Sequence, residues 1–175
     1  MMSFKSLLDE TEYAPFYKRY IELAPDFSID EALQQSSHSF FSFFENLSDE
    51  QALFKYAPNK WTLKEVLLHC IDTERIMSYR ALRFSRNDKN ELIGFDQDEY
   101  VLESNANQRQ IKDILNEYKS VRKSTFDLFA GFDSKVLVRS GIASGNRMSV
   151  RALGYVISGH ELHHLEICKT RYLLD

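Results

Sequence analysis

A histidine-rich segment near the C-terminal end, GHELHHLEICKTRY, carries His160, His163 and His164. The apolar stripe leading into it reads Val150, Leu153, Ile157 and continues through positions 160 and 164 to Ile167 or Cys168, so His160 and His164 are expected on the core face. In a helix an i,i+4 pair differs by roughly 40° about the axis and about 6 Å along it, so two imidazoles can converge on one ion. On the same geometry His163 turns about 100° away from His164. Two histidines seldom make a tight site, and a third ligand would come from another helix. His69 is the other histidine in strongly helical, core-adjacent sequence, three residues after Val66 and seven before Ile76. His38, set among Ser36, Ser37 and Ser39, reads as solvent-facing. Three neutral imidazoles around a divalent ion leave a position open for water or substrate, the arrangement of a catalytic zinc-type site. Spacing by itself leaves a second reading open, because a histidine on an apolar face is also commonly a hydrogen-bonded core residue.

The other reactive groups add less. Cys70 adjoins His69 and Cys168 lies one turn beyond His164, but no cation is evident to lower either pKa, so both read as reduced, buried small hydrophobes. Glu161 points about 100° away from His160 and is expected at the surface or behind a ligand. Asp72 and Glu74 follow His69 within about a turn and a half; either is a candidate to receive the second N–H of a ligating imidazole, or to belong to a solvated acidic face. No residue stands out as a general base, so catalytic residues stay unassigned, and no motif for an organic cofactor is read.

These side chains must be held by helices. The chain has 175 residues but only six glycines and three prolines, most of them between long segments with apolar residues every three or four positions. Four long helices are predicted: about Ile29–Asn46, with Leu33, Phe40, Phe44 and Leu47 apolar; Thr62–Arg86, opened by a Thr62/Glu65 capping box; Gln108–Ala130, with Ile111, Leu115, Tyr118, Val121, Thr125 and Leu128 on one side; and Ser149–Leu173. A shorter helical piece, Ala14 to Leu23, precedes them and stops before Pro25. LIGFDQDEYV reads as an acidic, aromatic loop and SGIASGN as a glycine-containing connection. The expectation is an all-α four-helix bundle with a short extra N-terminal helix, one domain over 1–175 with its core at about 28–173. Phe40, Phe41, Phe43 and Phe44 exceed what one helix face can bury, which points to core packing plus a homodimer contact.

Composition narrows the partners. The formal charge of −4 and the lack of a Lys/Arg block argue against nucleic acid. No stretch reaches the length of a transmembrane helix, MMSFKSLLDETEY has no signal-peptide core, and two cysteines make no disulfide framework, so a cytoplasmic protein without a membrane partner is expected.

Two stretches carry a family resemblance. KWTLKEVLLHCIDTE, Lys60 to Glu74, resembles the DinB-family signature at the start of the second helix, with Trp61, the capping Thr62, His69, and the acidic Asp72 and Glu74. MSVRALGYVISGHELHHLEICKTRYL, Met148 to Leu173, resembles the last helix of the same family. The resemblance covers essentially the whole chain. It implies a DinB-like four-helix bundle holding Zn2+ or Ni2+ on one histidine of the second helix and an H-x-x-x-H pair of the last, which fall here on His69, His160 and His164. It implies a small-molecule substrate without choosing the reaction. Some members resemble metal-dependent transferases that join a low-molecular-weight thiol such as bacillithiol, mycothiol or glutathione to an electrophile; others are described as hydrolases. The absence of an evident base tilts the expectation toward thiol transfer. A metal-dependent hydrolase, and a non-catalytic binding protein with a structural metal, are the alternatives.

Overall fold

The chain's computed structural model describes residues 5–172. Its elements run α1 (Lys18–Leu23), α2 (Ile29–Phe44), α3 (Asp49–Ala52), α4 (Leu63–Ser85), α5 (Gln97–Glu103), α6 (Ile111–Ala130), α7 (Ser134–Leu137), β1 (Ser140–Ala143), β2 (Asn146–Ser149) and α8 (Val150–Arg171). The four long helices α2, α4, α6 and α8 form the bundle. Around its axis α8 packs against α2 and α4, and α6 packs against the other sides of the same two helices. The predicted end of the last helix at Leu173 lies outside the described residues.

Three of the four long helices, α2, α4 and α8, begin where a capping side chain satisfies backbone N–H groups that have no partner inside the helix, whereas at α6 Asp49 Oδ1 accepts from Ile111 N at 2.9 Å. Ser28 and Glu31 box the start of α2, and Ser149 Oγ accepts from Ala152 N at 3.0 Å at the start of α8. At α4 Thr62 Oγ1 accepts from Glu65 N at 3.1 Å while Glu65 Oε2 accepts from Thr62 N at 2.7 Å. Asn107 ties that box to the segment before α6 by donating to Glu65 Oε1 at 2.7 Å. The first turn of α4, and with it the height of His69, is therefore fixed from two directions.

Two features depart from the sequence reading. SGIASGN is a β-hairpin, pairing Ser140 with Ser149 through Ala143 with Asn146. Its turn needs left-handed backbone at Ser144 (φ 51°) and Gly145 (φ 72°), and glycine supplies the second at no steric cost. A two-residue turn between four-residue strands is too short for alternation to announce. LIGFDQDEYV holds α5, capped by Asp96, whose Oδ1 accepts from Asp98 N and Glu99 N. Its first residue bridges to the hairpin: Leu92 N donates to Ile142 O at 3.0 Å and Ser144 N donates to Leu92 O at 2.9 Å.

The short N-terminal helix has a definite post. α1 lies against α8, and a Cβ on Gly159 would stand 1.7 Å from Tyr20 O, so only glycine permits that approach. This contact delivers the Tyr20 ring beside His160. Of the phenylalanines on α2, Phe40 and Phe44 are fully buried and Phe41 and Phe43 pack partly buried at the core margin.

Candidate metal centre

His69 on α4 and His160 and His164 on α8 converge, and their ligand atoms all lie within 4.8 Å of one another. His160 Nε2 stands 3.1 Å from His69 Nε2 and 3.2 Å from His164 Nε2. Imidazole nitrogens bound to one ion at about 2.0–2.1 Å are separated by roughly 2.9–3.4 Å for angles between 90° and tetrahedral, so these separations fit a shared ion. Hydrogen bonding alone accounts for them poorly. A single Nε2 offers either one proton or one lone pair, and that of His160 faces two ring nitrogens at once.

The surroundings keep the rings neutral. Burial pushes His69 down to about 4, and burial, reinforced by the neighbouring histidines, holds His160 and His164 well below the ordinary value of 6.5. Neutral imidazole is the ligating form. Trp61 lies 4.8 Å from His69, ring centre to ring centre, and its carbonyl accepts from Tyr172 Oη at 2.7 Å. Tyr20 meets His160 edge-on at 5.3 Å.

Depressed histidines have a consequence for acid stability. The unfolded chain binds protons near pH 6.5 while folded His69 resists until about pH 4, so stability is complete above pH 6.5 and is lost as pH falls between those values. We expect the metal-free protein to lose about 2 kcal/mol between pH 7 and pH 5 through His69 alone. Urea midpoints across that range test this; a flat profile would contradict it.

The remaining sequence candidates separate cleanly. His38 is exposed on α2. His163 is half-buried against Tyr20, with ring centres 5.4 Å apart, and lies outside the converging set. Cys70 and Cys168 are buried and free, and burial raises both thiols, Cys168 to about 12, which keeps them protonated. The reading of Asp72 and Glu74 as partners of a ligating imidazole is corrected: Asp72 accepts from Arg75 at 3.3 Å and Glu74 is ion-paired to Arg122 at 2.9 Å. Glu161 is not at the surface but 2 % exposed, and it too pairs with Arg122 at 2.9 Å.

That cluster was missed because Arg122 lies outside the apolar side read for this helix, yet it is buried. Arg122 spans the bundle, reaching Glu74 of α4, Glu161 of α8, and Leu33 O of α2 at 2.9 Å; Tyr118 Oη donates to Glu161 from α6. Burial works against the Arg122 charge, but Glu161 and Glu74 together hold it above its ordinary value. A void of about 10 Å³ is lined by His160 and by Glu74, Arg122 and Glu161, so the ionic cluster adjoins the histidines. The one signal in the sequence was a charged residue one turn after Tyr118 and one before Phe126.

The fold is a four-helix bundle in which three neutral, converging histidines on adjacent helices could hold a divalent metal. The sequence profile of the DinB superfamily matches residues 32–168, and the chain belongs to that superfamily. Among solved structures it is similar to YfiT from Bacillus subtilis, described as a probable metal-dependent hydrolase with an unusual four-helix bundle topology. The match has 13 % identity and a TM-score of 0.70 over 93 % of this chain and 91 % of that one. At that identity the likeness establishes the fold. No functionally curated protein matches the sequence. Among the described residues no helix is long and apolar enough to cross a membrane.

Proposed function

We propose that this protein is a divalent-metal-dependent transferase acting on a low-molecular-weight thiol, with His69, His160 and His164 holding Zn2+ or Ni2+. The observation that supports thiol over water as the nucleophile is the hollow beside His160. It measures about 300 Å³, and its walls include Tyr20, Thr73, Met77, Arg80, Phe95 and Gln97 but no Asp or Glu. A bound ion supplies Lewis acidity that lowers the pKa of a thiol or a water at its open position. Attack by water calls for a base to take a proton in the transition state, whereas a thiol acidified below neutral pH has already lost its own. The buried carboxylates nearest the histidines, Glu74 and Glu161, pair with Arg122, and Glu161 keeps one oxygen, Oε2, without a hydrogen-bond partner. The chain's part is to keep three imidazoles neutral and their lone pairs aimed, and to present the aromatic rings of Tyr20 and Phe95 in the wall of the hollow.

Zinc-loaded protein is expected to bind bacillithiol or glutathione with release of a proton, seen by calorimetry in buffers of different ionisation enthalpy. Cobalt-substituted protein should show a sulfur-to-metal charge-transfer band, and chelation should abolish both signals. A metal-dependent hydrolase is the second reading, favoured by the description of YfiT. Turnover of an ester or amide by the loaded protein, with no thiol signal, would select it.

A further inference from the structure

We propose that Arg80 recognises an anionic group, a carboxylate or phosphate, on the molecule that fills the hollow beside His160. This rests on the metal-site reading for where the reacting end of that molecule lies, but not for the anion contact itself.

Two arginines of this protein are buried, and they are treated differently. Arg122 is neutralised by two carboxylates. Arg80 is 2 % exposed and has no carboxylate in ion-pair range among the described residues. Its guanidinium donates one hydrogen bond of ordinary length, to Ser144 Oγ at 2.9 Å, and otherwise meets Ile93 O at 3.5 Å, Tyr17 Oη at 3.5 Å and Met77 Sδ at 3.8 Å. An uncompensated guanidinium charge in the interior is costly. A fold that keeps one has a use for its field.

The place supports that use. Arg80 lines the same hollow as His160, and the neighbouring Gln97, Ser144 and Thr73 offer further hydrogen-bond donors while no acidic side chain shares the wall. No carboxylate on this wall offsets the positive charge, and the planar fork of a guanidinium matches two oxygens of one oxyanion. The surrounding structure is built to hold this arrangement. Ser144 reaches Arg80 from the hairpin turn in a left-handed conformation uncommon outside glycine, and the Leu92–Ala143 bridge locks that turn to the segment bearing Phe95 and Gln97. Arg80 also lines a neighbouring hollow of about 380 Å³ bordered by Arg83 and Glu91, and probes carrying both a thiol and an anion report which side is used.

The test uses mercaptoacetate, 3-mercaptopropionate and 6-mercaptohexanoate against their primary amides, on zinc-loaded wild type, Arg80→Met and Arg80→Lys, read by calorimetry. At the best chain length the acid should bind wild type about ten-fold or more tighter than the amide, the scale of a charge-assisted hydrogen-bonded pair. That ratio should collapse to about one in Arg80→Met and survive in part in Arg80→Lys, with zinc stoichiometry unchanged in both. Inorganic phosphate or acetate should raise the melting temperature of metal-free wild type but not of metal-free Arg80→Met, and which of the two acts more strongly identifies the oxyanion. Arg80→Met should itself melt no lower than wild type, since an unpaired buried charge is replaced by an apolar chain. Equal acid-to-amide ratios in wild type and Arg80→Met, with zinc fully bound, overturn the proposal, as does a lowered melting temperature without any change in that ratio. If wild type takes up no zinc, the metal reading fails, and the phosphate and acetate measurements still decide the role of Arg80.

Discussion

Replacing His160 by alanine is expected to abolish zinc binding, while replacing His163, three residues later, should leave it nearly intact. His160 Nε2 is the centre of the set, within 3.2 Å of both of the other Nε2 atoms. Its loss leaves two imidazoles, one on each of two helices, where the cluster has three. The deficit should exceed the roughly 10–100-fold drop usual when only a partner hydrogen-bonded to a ligand is removed. His163 is half-buried, packs on Tyr20 and His164, and contributes no nitrogen to the cluster. Competition titration against a chromogenic chelator measures both variants. Equal losses would mean that the assignment of ligands within HELHH is wrong.

Arg122→Ala should be strongly destabilising, at about 3–5 kcal/mol, because it strands two buried carboxylates without a counter-charge. For a chain of this size that corresponds to a fall of roughly 6–20 °C in melting temperature. Arg122→Ala combined with Glu74→Gln and Glu161→Gln should recover part of the loss, since the stranded charges are then gone. Urea unfolding of the single and combined variants gives the comparison. A single-variant loss below about 1 kcal/mol would show that the cluster contributes little. The same experiment bears on the site, because Arg122 pins Glu74, five residues after His69, to Glu161, next to His160. Slippage of α4 along α8 would separate the histidines.

The helices themselves were legible from the chain. Periodicity placed α2, α4, α6 and α8, and the Thr62/Glu65 box placed the start of α4 to the residue, because a capping box is a local arrangement that spans only four positions. The i,i+4 spacing of His160 and His164 fixed their shared face for the same reason: a helix converts sequence separation directly into angle and rise. It likewise excluded His163 from the converging set. What lies within one turn of one element, the sequence by itself determined.

What joins elements only the tertiary structure decided. Local geometry put Glu161 off the ligand face, and that angle is right, yet the side chain is buried because α6 happens to present Arg122 to it. Nothing in the sequence reading singled out Arg80 or Arg122, and their burial depends on which faces four helices turn inward. Tyr20 reaches His160 across 140 positions through the gap that Gly159 leaves, and Ser144 reaches Arg80 through a hairpin too short to show periodicity. The histidine triad thus sits between the two cases. Two of its histidines follow from one helix, but the meeting of His69 with His160, 91 positions apart, exists only because α4 and α8 pack side by side, with the buried Arg122 cluster tying Glu74 of α4 to Glu161 of α8.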